Sequence, residues 1–123
     1  MAVAQLRNIV VDCFDPGPLA EFWSRVLGYS IVDVEDGWLA LEPEHGGRPR
    51  LAFQRVPEGK ATKNRLHLDL WVAEITAAIA TAVELGATPS GELVTEETEV
   101  FQVMLDPAGN EFCFVHLPGS TGP

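Results

Sequence analysis

Two stretches of the chain carry the same succession of hydrophobic and polar positions. NIVVDCFDPGPLAEFWSRVLG (8–28) opens on an alternating apolar run, passes the acidic Asp15, and continues at helical spacing, with Leu19, Phe22, Trp23, Val26 and Leu27 on one face. HLDLWVAEITAAIATAVELG (67–86) repeats the scheme, with Glu74 in the acidic position and Ile75, Ile79, Ala82 and Val83 forming the stripe. Each segment predicts a strand followed by a helix. Asp15 suits the N-cap and Pro16 the first turn, where a missing N–H costs little. Gly28 and Gly86 suit left-handed stops at the C-terminal ends.

The continuations match as well. RLAFQRVP (50–57) lines up with EFCFVHLP (111–118), each a short alternating strand ended by proline. WLALEPEHGG (38–47) and VFQVMLDPAGN (100–110) supply a strand and turn before each, and residues 30–34 and 92–95 suit one strand more. These matching elements in matching order make the unit βαβββ, present twice. The expected architecture is α+β: two modules, 6–57 and 66–118, joined by a linker at 58–65, their curved mixed sheets set around a cavity.

Strand alternation sorts the side chains into two faces. Ile9, Val11, Cys13, Leu51, Phe53, Leu68, Leu70, Phe112 and Phe114 belong to the faces that cover the helices. The opposite faces collect Asn8, Asp12, Arg50, Gln54, His67, Asp69, Glu111 and Cys113, with Trp71 among them. Unpaired charges of this kind are too costly for a dry core. Two polar sheet faces carrying Trp, His and Cys fit a wet, concave small-molecule site, although an antiparallel sheet can also simply expose a polar face to water.

Composition narrows the function. The chain of 123 residues has 46% hydrophobic and 21% charged residues, an ordinary globular mixture. Its net charge of -10 argues against nucleic acid as a partner. Six of its eight basic residues, Arg48, Arg50, Arg55, Lys60, Lys63 and Arg65, fall in one stretch, which reads as a solvated linker or as a local anion-attracting patch. No apolar run is long enough for a bilayer, and no signal peptide is evident. Two cysteines, Cys13 and Cys113, are too few for a disulfide framework, so a reduced, cytoplasmic protein is expected.

The paired modules, with N-I-V-V-D, F-W-S-R-V-L-G, H-L-D-L-W-V and L-D-P-A-G-N-E-F, resemble the vicinal oxygen chelate superfamily, which includes glyoxalase I, extradiol dioxygenases and bleomycin resistance proteins. RLAFQRVP, KNRLHLDLWV and DPAGNEFCFV look most like its glyoxalase-like branch, and the resemblance runs over 6–118. In metalloenzymes of that superfamily, inner-face residues of four strands bind a divalent ion. The resemblance carries these positions onto Asn8, Ala52 (or Gln54, one inward position along), His67 and Cys113. Ala52 has no donor atom, Asn8 is a weak neutral ligand, and no carboxylate stands at these positions. The expectation is therefore a metal-free small-molecule binder that sequesters its ligand as bleomycin resistance proteins do, lined by Asn8, Asp12, Gln54, Asp69, Trp71 and Cys113. The alternative is an enzyme, of lyase, isomerase or dioxygenase type, using His67 as metal ligand or as general acid or base. A symmetric homodimer is the expected assembly.

Overall fold

Both predicted helices form, and their ends show how differently two similar starts can be capped. The computed structural model describes residues 2–119. Helix α1 spans Pro16–Leu27 and α2 spans Ile75–Leu85. Glu74 caps α2 with both carboxylate oxygens, accepting from the backbone N–H of Thr76 at 3.2 Å and of Ala77 at 2.7 Å. Asp15 holds the equivalent extended backbone position before α1 but makes no side-chain cap bond. Glu74→Ala is therefore expected to lower stability by about 1 kcal/mol, and Asp15→Ala by clearly less. Thermal melts of the two variants read the difference, and equal losses would rule out the cap bonds as its source. At the other end Gly86 takes φ 115, and a methyl group there would meet Pro107 Cγ at 3.4 Å. Only glycine accepts that backbone without strain.

Around the helices lie eight strands in two four-stranded mixed sheets. In the first module β1 (Asn8–Cys13), β2 (Ser30–Glu35), β3 (Trp38–Glu42) and β4 (Arg50–Arg55) assemble in the order β1-β4-β3-β2, with β1 and β4 parallel. The second repeats the plan with β5 (Leu68–Trp71), β6 (Thr88–Thr95), β7 (Val100–Leu105) and β8 (Glu111–His116), in the order β5-β8-β7-β6. This is the α+β, twice-βαβββ architecture that the repeat predicts. Even an irregularity recurs. The register of β2 shifts after Val32, where Asp33 takes φ 52, and that of β6 shifts after Ser90, where Gly91 takes φ 73. Strand β6 begins four residues before the predicted 92–95 segment.

The chain divides into two compact units, Met1–Gly59 and Lys60–Pro123. In the first, α1 packs on β3 and β4, bringing Leu19, Phe22 and Trp23 against the buried Leu41, Leu51 and Phe53. Phe22 and Trp23 meet edge to face at 5.4 Å. In the second, Ile75 and Ala82 of α2 are buried with Met104, Phe112 and Phe114. Val83 stays 46% exposed, at the margin of the predicted stripe. The D-P-A-G-N segment is a turn braced by its own aspartate. Buried Asp106 accepts from Ala108 N–H and Asn110 N–H, each at 2.9 Å, and from Asn110 Nδ2 at 3.1 Å. No helix among the described residues is long and apolar enough to cross a membrane.

Candidate functional site

The register of the first sheet places its polar face in rows, because partnered residues project to the same side. Asn8 pairs with Arg50, Val10 with Ala52 and Ala52 with Ala40, and Asp12 with Gln54 and Gln54 with Trp38. The first row is closed by ion pairing. Arg50, its side chain 7% exposed, donates from Nε to Asn8 Oδ1 at 3.0 Å and from Nη1 to Asp33 Oδ2 at 2.6 Å. The bulge in β2, with the positive φ that aspartate tolerates better than most residues, is where Asp33 sits. Ala40 and Ala52 in the middle row are completely buried. Asp12 and Gln54 in the third row are exposed. Arg50 thus belongs to the interior of this face and not to a solvated linker.

On the second sheet Asp69 pairs with Cys113 and Cys113 with Val103, and Trp71 pairs with Val115 and Val115 with Phe101. His67, just before β5, holds Nδ1 3.6 Å from Asp69 Oδ1. Trp71 is half exposed, as a stacking surface must be. Burial, followed by the Asp69 charge, pushes the Cys113 thiol up. That keeps it protonated near neutral pH and disfavours nucleophilic attack, which needs the thiolate. Asn8, Asp12 and Gln54 thus share the face of the first sheet, and His67, Asp69, Trp71 and Cys113 come together on the second.

Glu111, which strand alternation puts on the polar face, forms a further cluster with two residues of the preceding linker, Lys60 and Asn64. It accepts from the backbone N–H of Asn64 at 2.8 Å and from Lys60 Nζ at 3.0 Å. The Asn64 N–H, with the Lys60 ammonium, holds its carboxyl below the usual range. A carboxylate with a depressed folded pKa stabilises above its unfolded pKa, and that contribution disappears as pH falls through the folded value. Glu111→Gln is expected to melt below the parent at pH 7 and level with it under acid conditions below the carboxylate range. A gap that stayed constant down to pH 2–3 would exclude charge as its cause. Four of the six clustered basic residues, Arg48, Arg50, Arg55 and Lys60, are engaged in ion pairs.

A groove of about 450 Å³ lies at the end of the first sheet, lined by Phe14, Asp36, Gly37, Gln54, Arg55, Val56 and Pro57. Gln54 is the sequence-selected residue in it. Phe14, Asp36 and Arg55 come from three separate segments; the Asp36–Gly37 pair between two apolar runs is the one local signal, that of a hairpin turn. Among the described residues no three His, Cys, Asp or Glu side chains are grouped so as to hold a metal ion.

The glyoxalase-like domain family model matches residues 8–115. The chain belongs to that family. It is thereby a member of the vicinal oxygen chelate superfamily. No curated protein matches it. Among solved structures it is similar to a glyoxalase/bleomycin resistance protein/dioxygenase family enzyme from Burkholderia phytofirmans PsJN, at 18% identity and TM-score 0.77, covering 93% of this chain and 99% of that one. It is also similar to the oxidase ChaP-H2, at 20% identity and TM-score 0.70 over 98% and 100% of the two chains. A glyoxalase family protein from Bacillus cereus gives 16% identity and TM-score 0.73 over 97% and 99%. At these identities the likeness establishes the glyoxalase-like fold.

Proposed function

We propose that this glyoxalase-like protein binds a small organic molecule at its polar sheet faces without a resident divalent metal. The pairing of Arg50 with Asn8 carries the reading. The side-chain oxygen of Asn8, at the family's first ligand position, is taken by a guanidinium, and a second cation beside it would be repelled. At the next position Ala52, completely buried, offers no donor atom. His67 and Cys113 are left as the two zinc-type ligands of the four, and structural or catalytic zinc asks for at least three. The donor set does not fit the metal.

Elemental analysis of protein purified without chelators tests this, together with native mass spectrometry for a retained organic ligand. Sub-stoichiometric metal, unchanged in His67→Ala, is the expected result. One zinc, manganese, iron or nickel per chain, lost on His67→Ala, would overturn the proposal.

A second reading, catalysis with His67 as general acid or base, is favoured by Asp69 standing 3.6 Å from Nδ1, where it can orient the ring and leave Nε2 toward a substrate. Turnover that disappears in His67→Gln and changes its pH profile in Asp69→Asn would select it. We also propose a cytoplasmic homodimer. A chain with only two cysteines agrees with a reducing compartment, and exposed Ile31, Val34, Leu93 and Val94 on edge strands β2 and β6 agree with a partner. Light scattering on the eluted protein measures its mass.

A further inference from the structure

The groove at the end of the first sheet combines three recognition elements. Phe14 presents a large aromatic side chain that is 69% exposed. Arg55 carries a guanidinium whose side-chain partner among the described residues is Asp36, at 3.1 Å from Nη1. Gln54 adds an amide with both donor and acceptor capacity. Arg55 is also held in place. Its backbone N–H donates to the Gly37 carbonyl at 2.8 Å, and Nη1 passes 3.6 Å from where a Cβ on Gly37 would stand. Gly37 has φ 74, so the turn needs a glycine, and the guanidinium runs in van der Waals reach of it.

The Asp36–Arg55 pair is poorly suited to be an end in itself. The Asp36 side chain is fully exposed and that of Arg55 about half so, at 100% and 51%. An ion pair in that setting is worth a few-fold in equilibrium terms at most, and salt screens it. A carboxylate arriving with an apolar ring can displace Asp36, because it gains the same charge-assisted hydrogen bonds together with burial of the Phe14 face. In a chain of net charge -10 an available guanidinium is also a scarce attractor for anions.

We infer that this groove is a binding site for a small aromatic carboxylate, with the carboxylate on Arg55, the ring against Phe14, and Asp36 acting as a built-in competitor. The groove shares Gln54 with the polar face of the first sheet but none of its other lining residues. The assignment rests on Arg55, Phe14 and Asp36, none of which enters the metal-free reading, so the two can fail separately.

Benzoate is the probe, titrated into isotopically labelled full-length protein and followed by the amide signals of Gly37 and Val56 and the Arg55 side-chain signal, with neutral benzamide as control. Benzoate is expected to saturate and benzamide to bind roughly tenfold more weakly, the loss of a charge-assisted contact. Arg55→Gln should weaken benzoate about tenfold and bring it level with benzamide. Asp36→Asn should tighten benzoate by about two- to threefold, a gain that damage to the fold would not produce. Phe14→Ser should weaken benzoate and benzamide alike. Absence of saturable shifts, benzoate binding unchanged in Arg55→Gln, or benzoate binding unchanged or weakened in Asp36→Asn would each overturn the assignment.

Discussion

Phe53→Ala is expected to lower the unfolding free energy by about 3–5 kcal/mol, the cost of emptying a fully enclosed aromatic site. Phe53 is 0% exposed and stands in β4, between β1 and β3, under the buried stripe of α1. Its register partners are Val11 on β1 and Leu39 on β3. Removing the ring forfeits the transfer term for its carbons and opens a void that a sheet paired on both sides cannot close. Small domains hold about 5–15 kcal/mol in all, so this one change consumes a large share. Urea denaturation measures it through the midpoint at constant slope. A loss under about 1 kcal/mol would mean that the core repacks freely.

Arg50→Ala comes second, with an expected loss of about 2–3 kcal/mol. The guanidinium is enclosed while Asp33 is 58% exposed, so the loss comes mainly from the hydrogen bonds and from packing of the arginine stem, and less from a stranded carboxylate. Asp33→Asn should consequently cost less than Arg50→Ala. Arg50→Lys should rescue little, because Asn8 and Asp33 are reached from different nitrogens of one planar fork, which a single ammonium does not reproduce. Thermal melts of the three variants give the ranking. Full rescue by lysine would reduce the contact to bare charge.

The helices were legible because their apolar residues recur at three and four and their ends carry Asp15, Glu74, Gly28 and Gly86. That Glu74 caps with its side chain while Asp15 does not is a matter of rotamer, which residue type alone leaves open. The start of β6 was hidden for a clear reason. Every residue of Thr88–Thr95 is exposed, so no hydrophobic alternation is imprinted on it, and Pro89 and Gly91 imitate a loop. The two faces of the strands were legible from period two, which put Asn8, Gln54, His67, Asp69 and Cys113 on the sides away from the helices. The closing of one row by Arg50 was not. It depends on partners 17 and 42 positions away and on a positive-φ aspartate in a bulge. The groove was invisible for the same reason, since Phe14, Asp36 and Arg55 meet only after β1, β3 and β4 have paired.

The repeated bulge separates what the duplication kept from what it changed. Asp33 and Gly91 occupy corresponding kinks, both with positive φ, so the backbone solution is common to both copies. The charges laid over it are opposite. Arg50 of RLAFQRVP corresponds to Glu111 of EFCFVHLP; the first draws its counterion from the kink, whereas the second, facing a glycine there, takes Lys60 from outside the repeat. A chimaera built from two first modules would keep its arginine neutralised twice over, but one built from two second modules would lack the preceding Lys60 for its leading glutamate. The halves are alike as scaffolds and inequivalent as electrostatic parts, and that inequivalence gives the duplicated chain a direction.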